Sequence, residues 1–83
     1  MTFRSKRKIR DSSNIPVWAR QIKKLRKSKN LKQADIAKVL HCRQATYSLY
    51  ELGERKIPIE KLIILARYYH VSMDYIADIQ DQN

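Results

Sequence analysis

Residues able to do covalent or metal chemistry are scarce in this sequence. The imidazoles are His41 and His70, and the one thiol is Cys42. A structural zinc site needs four ligands at recurring spacings, which these three do not supply, so no metal site is expected. His41 and Cys42 do not read as a base and nucleophile either. Neighbours in a turn have no reason to face each other, and no third group orients the base. Cys42 reads instead as a small buried filler. Paired carboxylates and a Gly-rich phosphate cradle are missing, and the chain has a single Gly. Neither an enzyme nor a cofactor is expected.

What the sequence does supply is positive charge, unevenly placed. The 83 residues carry a formal charge of +10. Residues 1–32 hold twelve Lys and Arg against one acid, Asp11, whereas residues 33–83 hold six against seven acids. Charge kept for solubility would be spread evenly. Concentrated in the first third, it implies a polyanionic partner, either nucleic acid or an anionic surface.

The elements that must position this charge are helical. One Gly and two Pro leave few breakers, and no alternating run of β-branched residues appears. Residues 1–14, with Arg4, Lys6, Arg7, Lys8 and Arg10, lack an apolar stripe and read as a disordered basic arm. Residues 15–79 read as one folded domain, and 80–83 as a polar tail. A first helix is expected from Asn14 as cap, with Pro16 in its first turn and Trp18, Ile22 and Leu25 as the buried stripe. Residues 33–40 form a second helix, with Ile36, Val39 and Leu40 inward. Residues 43–51 form a third, with Tyr47 and Tyr50 inward and Gly53 as its left-handed stop. Asn30 is expected to end the first helix. Pro58 precedes a fourth helix with the stripe Leu62, Leu65, Ala66 and Tyr69. Ser72 caps a short fifth one. The longest apolar run, residues 62–66, is far short of a membrane span. No secretory signal is visible, and the lone cysteine fits a reducing cytoplasm.

Residues 33–53 carry the functional information. Two short helices joined by two or three residues, with small Ala37 in the first, allow the close, steep crossing of a helix-turn-helix. In that device the first helix lies across a DNA backbone and the second presents its N-terminal residues to base edges. The matching positions are Leu25-Arg26, Leu31-x-Gln33, Ile36-Ala37, Thr46-x-Ser48, Tyr50-Glu51-x-Gly53, Pro58, Leu62, Leu65-Ala66 and Val71-Ser72-Met73. On them the stretch from Ile22 to Ile76 resembles the helix-turn-helix family of phage repressors and Cro proteins, the XRE family. The resemblance implies an all-α, five-helix, lambda-repressor-like fold and a cytoplasmic, sequence-specific transcriptional regulator, foremost a repressor, bound to double-stranded DNA.

Site roles follow from that resemblance. Gln33 is implied to bond a phosphate and buttress the recognition helix, and Thr46, Arg55 and Lys56 are placed for phosphates. Gln44 is implied to read a base, since an amide can pair with adenine N6 and N7. Ala45, Ser48 and Leu49 share its side of the helix, and Arg43 adds a guanidinium able to meet guanine. Two residues depart from the pattern. His41 stands where the family has Gly, so the turn is expected to hold a positive φ at some strain. Arg43 and Lys32 stand where a capping Ser or Thr is usual.

Operator-level selectivity calls for a homodimer on two half-sites. Its surface is expected on the fifth helix, at Tyr75, Ile76 and Ile79. An autoregulating antitoxin fits the sequence equally, and a toxin or antirepressor partner is left open. A sequence-neutral architectural protein is disfavoured by Gln44 in the reading position. Membrane-surface binding is disfavoured because the arm has no large apolar face.

Overall fold

Helices end in this protein by one recurring device. In the computed structural model, which describes residues 15–77, the elements run α1 (Val17–Ser28), α2 (Gln33–Val39), α3 (Gln44–Leu52), α4 (Ile59–Tyr69) and α5 (Met73–Ala77). No strand occurs among the described residues. After α1, α2, α3 and α4 the chain passes through a positive φ at Asn30 (58°), His41 (56°), Gly53 (72°) and His70 (59°). At each, the next amide reaches back to a carbonyl five residues earlier: Leu31 to Arg26, Cys42 to Ala37, Glu54 to Leu49 and Val71 to Ala66. This is the Schellman closure, which satisfies carbonyls that the helix end would otherwise orphan.

The helix starts are less uniform. Pro16 is the cap of α1 and lies outside its first turn, with φ −57° and ψ 150°. Its carbonyl accepts from the Ala19 and Arg20 amides. The expected cap, Asn14, lies outside the described residues. Lys32 has no acceptor in its side chain, so α2 is capped in reverse: Asp35 accepts the Lys32 amide at 2.8 Å. Arg43 takes the extended cap geometry without a side-chain bond, and α3 therefore runs one residue later at each end than 43–51. Ser72 does cap α5, accepting from the Tyr75 amide at 2.9 Å.

The stripes read from the sequence meet in one core. Ile22, Ile36, Leu40, Tyr47, Leu65 and Ile76 are fully buried, with Tyr50, Leu62, Ala66 and Tyr69 beside them. Trp18, Leu25 and Cys42 pack against this core while partly exposed. Burying side chains of this size contributes about 1.5–3 kcal/mol each. Ile76 corrects the expected dimer surface: the fifth helix turns it inward to close the core, where no second copy can reach it. Tyr75 is exposed, and Ile79 lies outside the described residues.

Packing then fixes the functional pair. α2 and α3 pack on each other, α1 packs on α3 and α5, and α4 packs on α5. Ala37 is buried at 4% exposure, as close approach of α2 and α3 requires. Lys61 Nζ donates to the Leu40 carbonyl at 2.7 Å, tying α4 to the turn between α2 and α3.

Candidate nucleic-acid interface

The site is organised by one buried carboxylate. Glu51, on the inner face of α3, is 4% exposed. Arg26 of α1 donates to both its oxygens, Nε to Oε2 at 2.7 Å and Nη2 to Oε1 at 3.0 Å. Gln33 Nε2 of α2 donates to Oε1 at 3.0 Å, and the Tyr47 hydroxyl donates to Oε2. Arg26 Nη1 also holds the Leu31 carbonyl at 2.8 Å, fixing the loop between α1 and α2. Three helices are thus locked in register around one charge.

Electrostatics follow from this cage. Burial alone would raise the Glu51 pKa, but bonds from Arg26, Tyr47 and Gln33 outweigh it and hold the carboxyl below its ordinary value. The bond to Glu51 raises Arg26, with burial opposing it. Burial pushes the Tyr47 hydroxyl far up, and the carboxylate adds to the effect, so it stays a donor. A bidentate, four-donor arrangement is the geometry in which a buried ion pair is tolerated.

With its inner face anchored, α3 turns its first residues outward. Arg43, Gln44 and Ala45 are exposed, and Thr46, Ser48 and Leu49 are half-buried beside them. Arg55 and Lys56 are exposed in the loop that follows. Gln33 is half-buried at the start of α2. One amide hydrogen goes to Glu51 and the other is left for a second acceptor. The structure therefore brings Gln33, Arg43, Gln44, Ala45, Ser48 and Leu49 onto the α2–α3 unit. The arm residues Arg4, Lys6, Arg7, Lys8 and Arg10 lie outside the described residues.

Sequence reasoning did not assign a role to α1 here. An open groove of about 470 Å³ is lined by Arg20, Lys23, Lys24 and Lys27 of α1 together with Gln33, Ser48 and Leu52. The signal was available: Arg20, Lys23 or Lys24, and Lys27 repeat at i, i+3/4 and i+7, opposite the Ile22 stripe. Arg26 and Glu51 both stood among the positions that carry the resemblance, but neither was given a role, because nothing local pairs an acid with an Arg 25 residues earlier.

Comparison with known proteins agrees with this architecture. The helix-turn-helix family model matches residues 22–76. The chain belongs to the helix-turn-helix family of the XRE, Cro/C1 type. It is 35% identical over 65 residues to YobD of Bacillus subtilis, an uncharacterised HTH-type transcriptional regulator, covering 78% of this chain and 58% of YobD. To YqaE of the same organism, similarly described, it is 35% identical over 60 residues, covering 72% and 52%. A crystal structure of a transcriptional regulator from Listeria innocua superposes with TM-score 0.69 at 41% identity, over 71% of this chain and 55% of that one. The chain thus spans about half the length of the relatives it matches.

Among the described residues, no His, Cys, Asp and Glu cluster as metal ligands, and no helix is long and apolar enough to cross a membrane.

Proposed function

We propose that this helix-turn-helix protein is a cytoplasmic transcriptional regulator, in the first place a repressor, which binds operator DNA as a homodimer. The supporting observation is the anchoring of α3. Its inner face is fixed by Glu51, so Arg43, Gln44 and Ala45 project from a rigid element, as selective base contact requires. Gln44 is the leading base reader, with Arg43, Ala45, Ser48 and Leu49 around it. Gln33, Thr46, Arg55 and Lys56 are assigned to phosphates, joined by Lys23 and Lys27 from the groove. Phosphate contacts set orientation and affinity; base contacts choose the sequence.

The test is selection of bound DNA from a random pool. The expected product is an enriched, partly palindromic motif held about 10³-fold or more tighter than random DNA. A pool that enriches no motif overturns the reading.

A further inference from the structure

Helix α4 is apolar on both sides, and only one side is used by the core. Leu62, Leu65, Ala66 and Tyr69 are buried, yet Ile59, Ile63, Ile64 and Tyr68 stand 57%, 38%, 36% and 43% exposed. A helix apolar all round is normally covered all round. The exposed positions of α4 are Ile59, Glu60, Ile63, Ile64, Arg67 and Tyr68. Read from either end, their order is the same: apolar, charged, two apolar, oppositely charged, apolar. The spacings are also symmetric about the point between Ile63 and Ile64.

We infer that this face of α4 is the surface on which a second copy of the chain docks, antiparallel, about a two-fold axis between Ile63 and Ile64. The inference deepens the homodimer of the proposed function by naming its surface. In this register Ile63 meets Ile64 of the second copy at the axis. Glu60 meets Arg67 of the second copy twice, and Ile59 meets Tyr68 of the second copy at each end. A parallel pairing would set Glu60 against Glu60 and Arg67 against Arg67, which is repulsive. Among the described residues, neither Glu60 nor Arg67 has an ion-pair partner within the chain.

The ends of the face carry a second observation. A mostly apolar groove of about 430 Å³, bordered by Trp18, Ile57, Pro58, Ile59, Leu62 and Ala77 with Lys56 at its edge, adjoins the start of α4. It includes Ile59 in its lining, the residue that Tyr68 of the second copy meets in this register, and so offers apolar surface beside that ring. The fifth helix offers less: Tyr75 is its one large exposed apolar side chain among the described residues. An 11-residue helix is about 16 Å long. Its face falls short of the ~800 Å² per partner of a standard stable interface, so the dimer is weak off DNA and strengthened on it.

Sedimentation of the full chain without DNA tests the pairing, with helicity and melting recorded to show that each variant folds. Wild type is expected to dimerise reversibly with concentration. Ile63→Asp should weaken association at least tenfold. Glu60→Arg and Arg67→Glu should each weaken it severalfold, whereas an equimolar mixture of the two should associate as a heterodimer, because every facing pair is then of opposite sign. Tyr75→Arg should leave association unchanged. The inference is overturned if wild type stays monomeric at millimolar concentration, if the mixture associates no better than its components, or if Tyr75→Arg abolishes the dimer. Motif selection is read separately. A monomer that still enriches a motif sinks this pairing and the homodimer but leaves operator reading by α3 standing. A dimer that enriches none sinks the operator reading but leaves the pairing standing.

Discussion

A buried carboxylate costs several kcal/mol of desolvation, so Glu51 must be matched on all sides. Two bonds from Arg26, one from Gln33 and one from Tyr47 do so. Removing the partner, as in Arg26→Ala, strands a buried charge. It should cost about 3–5 kcal/mol, a large share of the stability of so small a domain, measurable as a fall in the denaturation midpoint. The same residue sets the acid limit. Because the folded pKa of Glu51 is depressed, its stabilisation is fully present above the unfolded value of about 4.3 and is lost as pH falls through the folded value. Denaturation followed from pH 6 to pH 2 should show this loss, and Glu51→Gln should flatten the slope in that window while lowering stability at neutral pH. Gln44 predicts the opposite profile. Its side chain is exposed, so Gln44→Ala should leave the melting temperature alone. Discrimination at one base position should drop by about 1–3 kcal/mol in binding titrations. Full discrimination in that variant would remove Gln44 as a reader.

At the scale of the element, the four Schellman closures separate what a sequence displays from what it hides. Gly53 was legible as a helix end, and its role is strict: a Cβ there would stand 2.4 Å from Pro16 Cδ at a φ of +72°. His41 was legible because a Gly was expected in its place, and Asn30 because Asn tolerates the left-handed region. His70 was not picked out as a helix end, although His, like Asn, is enriched at positive φ. The inward stripes were readable from 3.6-residue spacing, because Leu62, Leu65, Ala66 and Tyr69 form a face. The outward apolar set on α4 was harder to see, since spacing does not tell which of two apolar faces the core will take. Ile76 illustrates the same ambiguity, its side being decided only when α5 packs on α1 and α4. The turn yields a prediction. His41 is exposed at φ 56°, and the left-handed conformation costs a non-Gly residue about 1–2 kcal/mol. Glycine relieves that strain but adds about 0.5–1 kcal/mol of unfolded-state entropy. His41→Gly should therefore stabilise by roughly 0.5–1 kcal/mol in thermal melts. A loss of stability would show that the imidazole makes a favourable contact that outweighs the strain.

For the whole molecule the decisive quantity is where the positive charge meets phosphate. Two sources compete: the arm cations Arg4, Lys6, Arg7, Lys8 and Arg10, and the α1 cations Lys23 and Lys27 that share a groove with Gln33 and Ser48. Phosphate contacts from either set would raise affinity for any DNA, so a single dissociation constant does not separate them. The salt slope does, because each neutralised phosphate on duplex DNA adds about 0.9 to the steepness of log K against log salt. Lys23→Ala combined with Lys27→Ala should flatten that slope by about two contacts' worth if both side chains reach the backbone. Deleting residues 1–10 should flatten it by as many units as the arm has contacts. If the two sets meet separate phosphates, the slope of the combined variant should equal wild type less both increments, with the ranking of sequences in the selected pool preserved. An α1 double variant with an unchanged slope would confine phosphate binding to α2, α3 and the arm, leaving the α1 groove without a part in DNA binding. A changed sequence ranking would mean that these cations help to orient α3 in the groove, which is a positional role beyond charge alone.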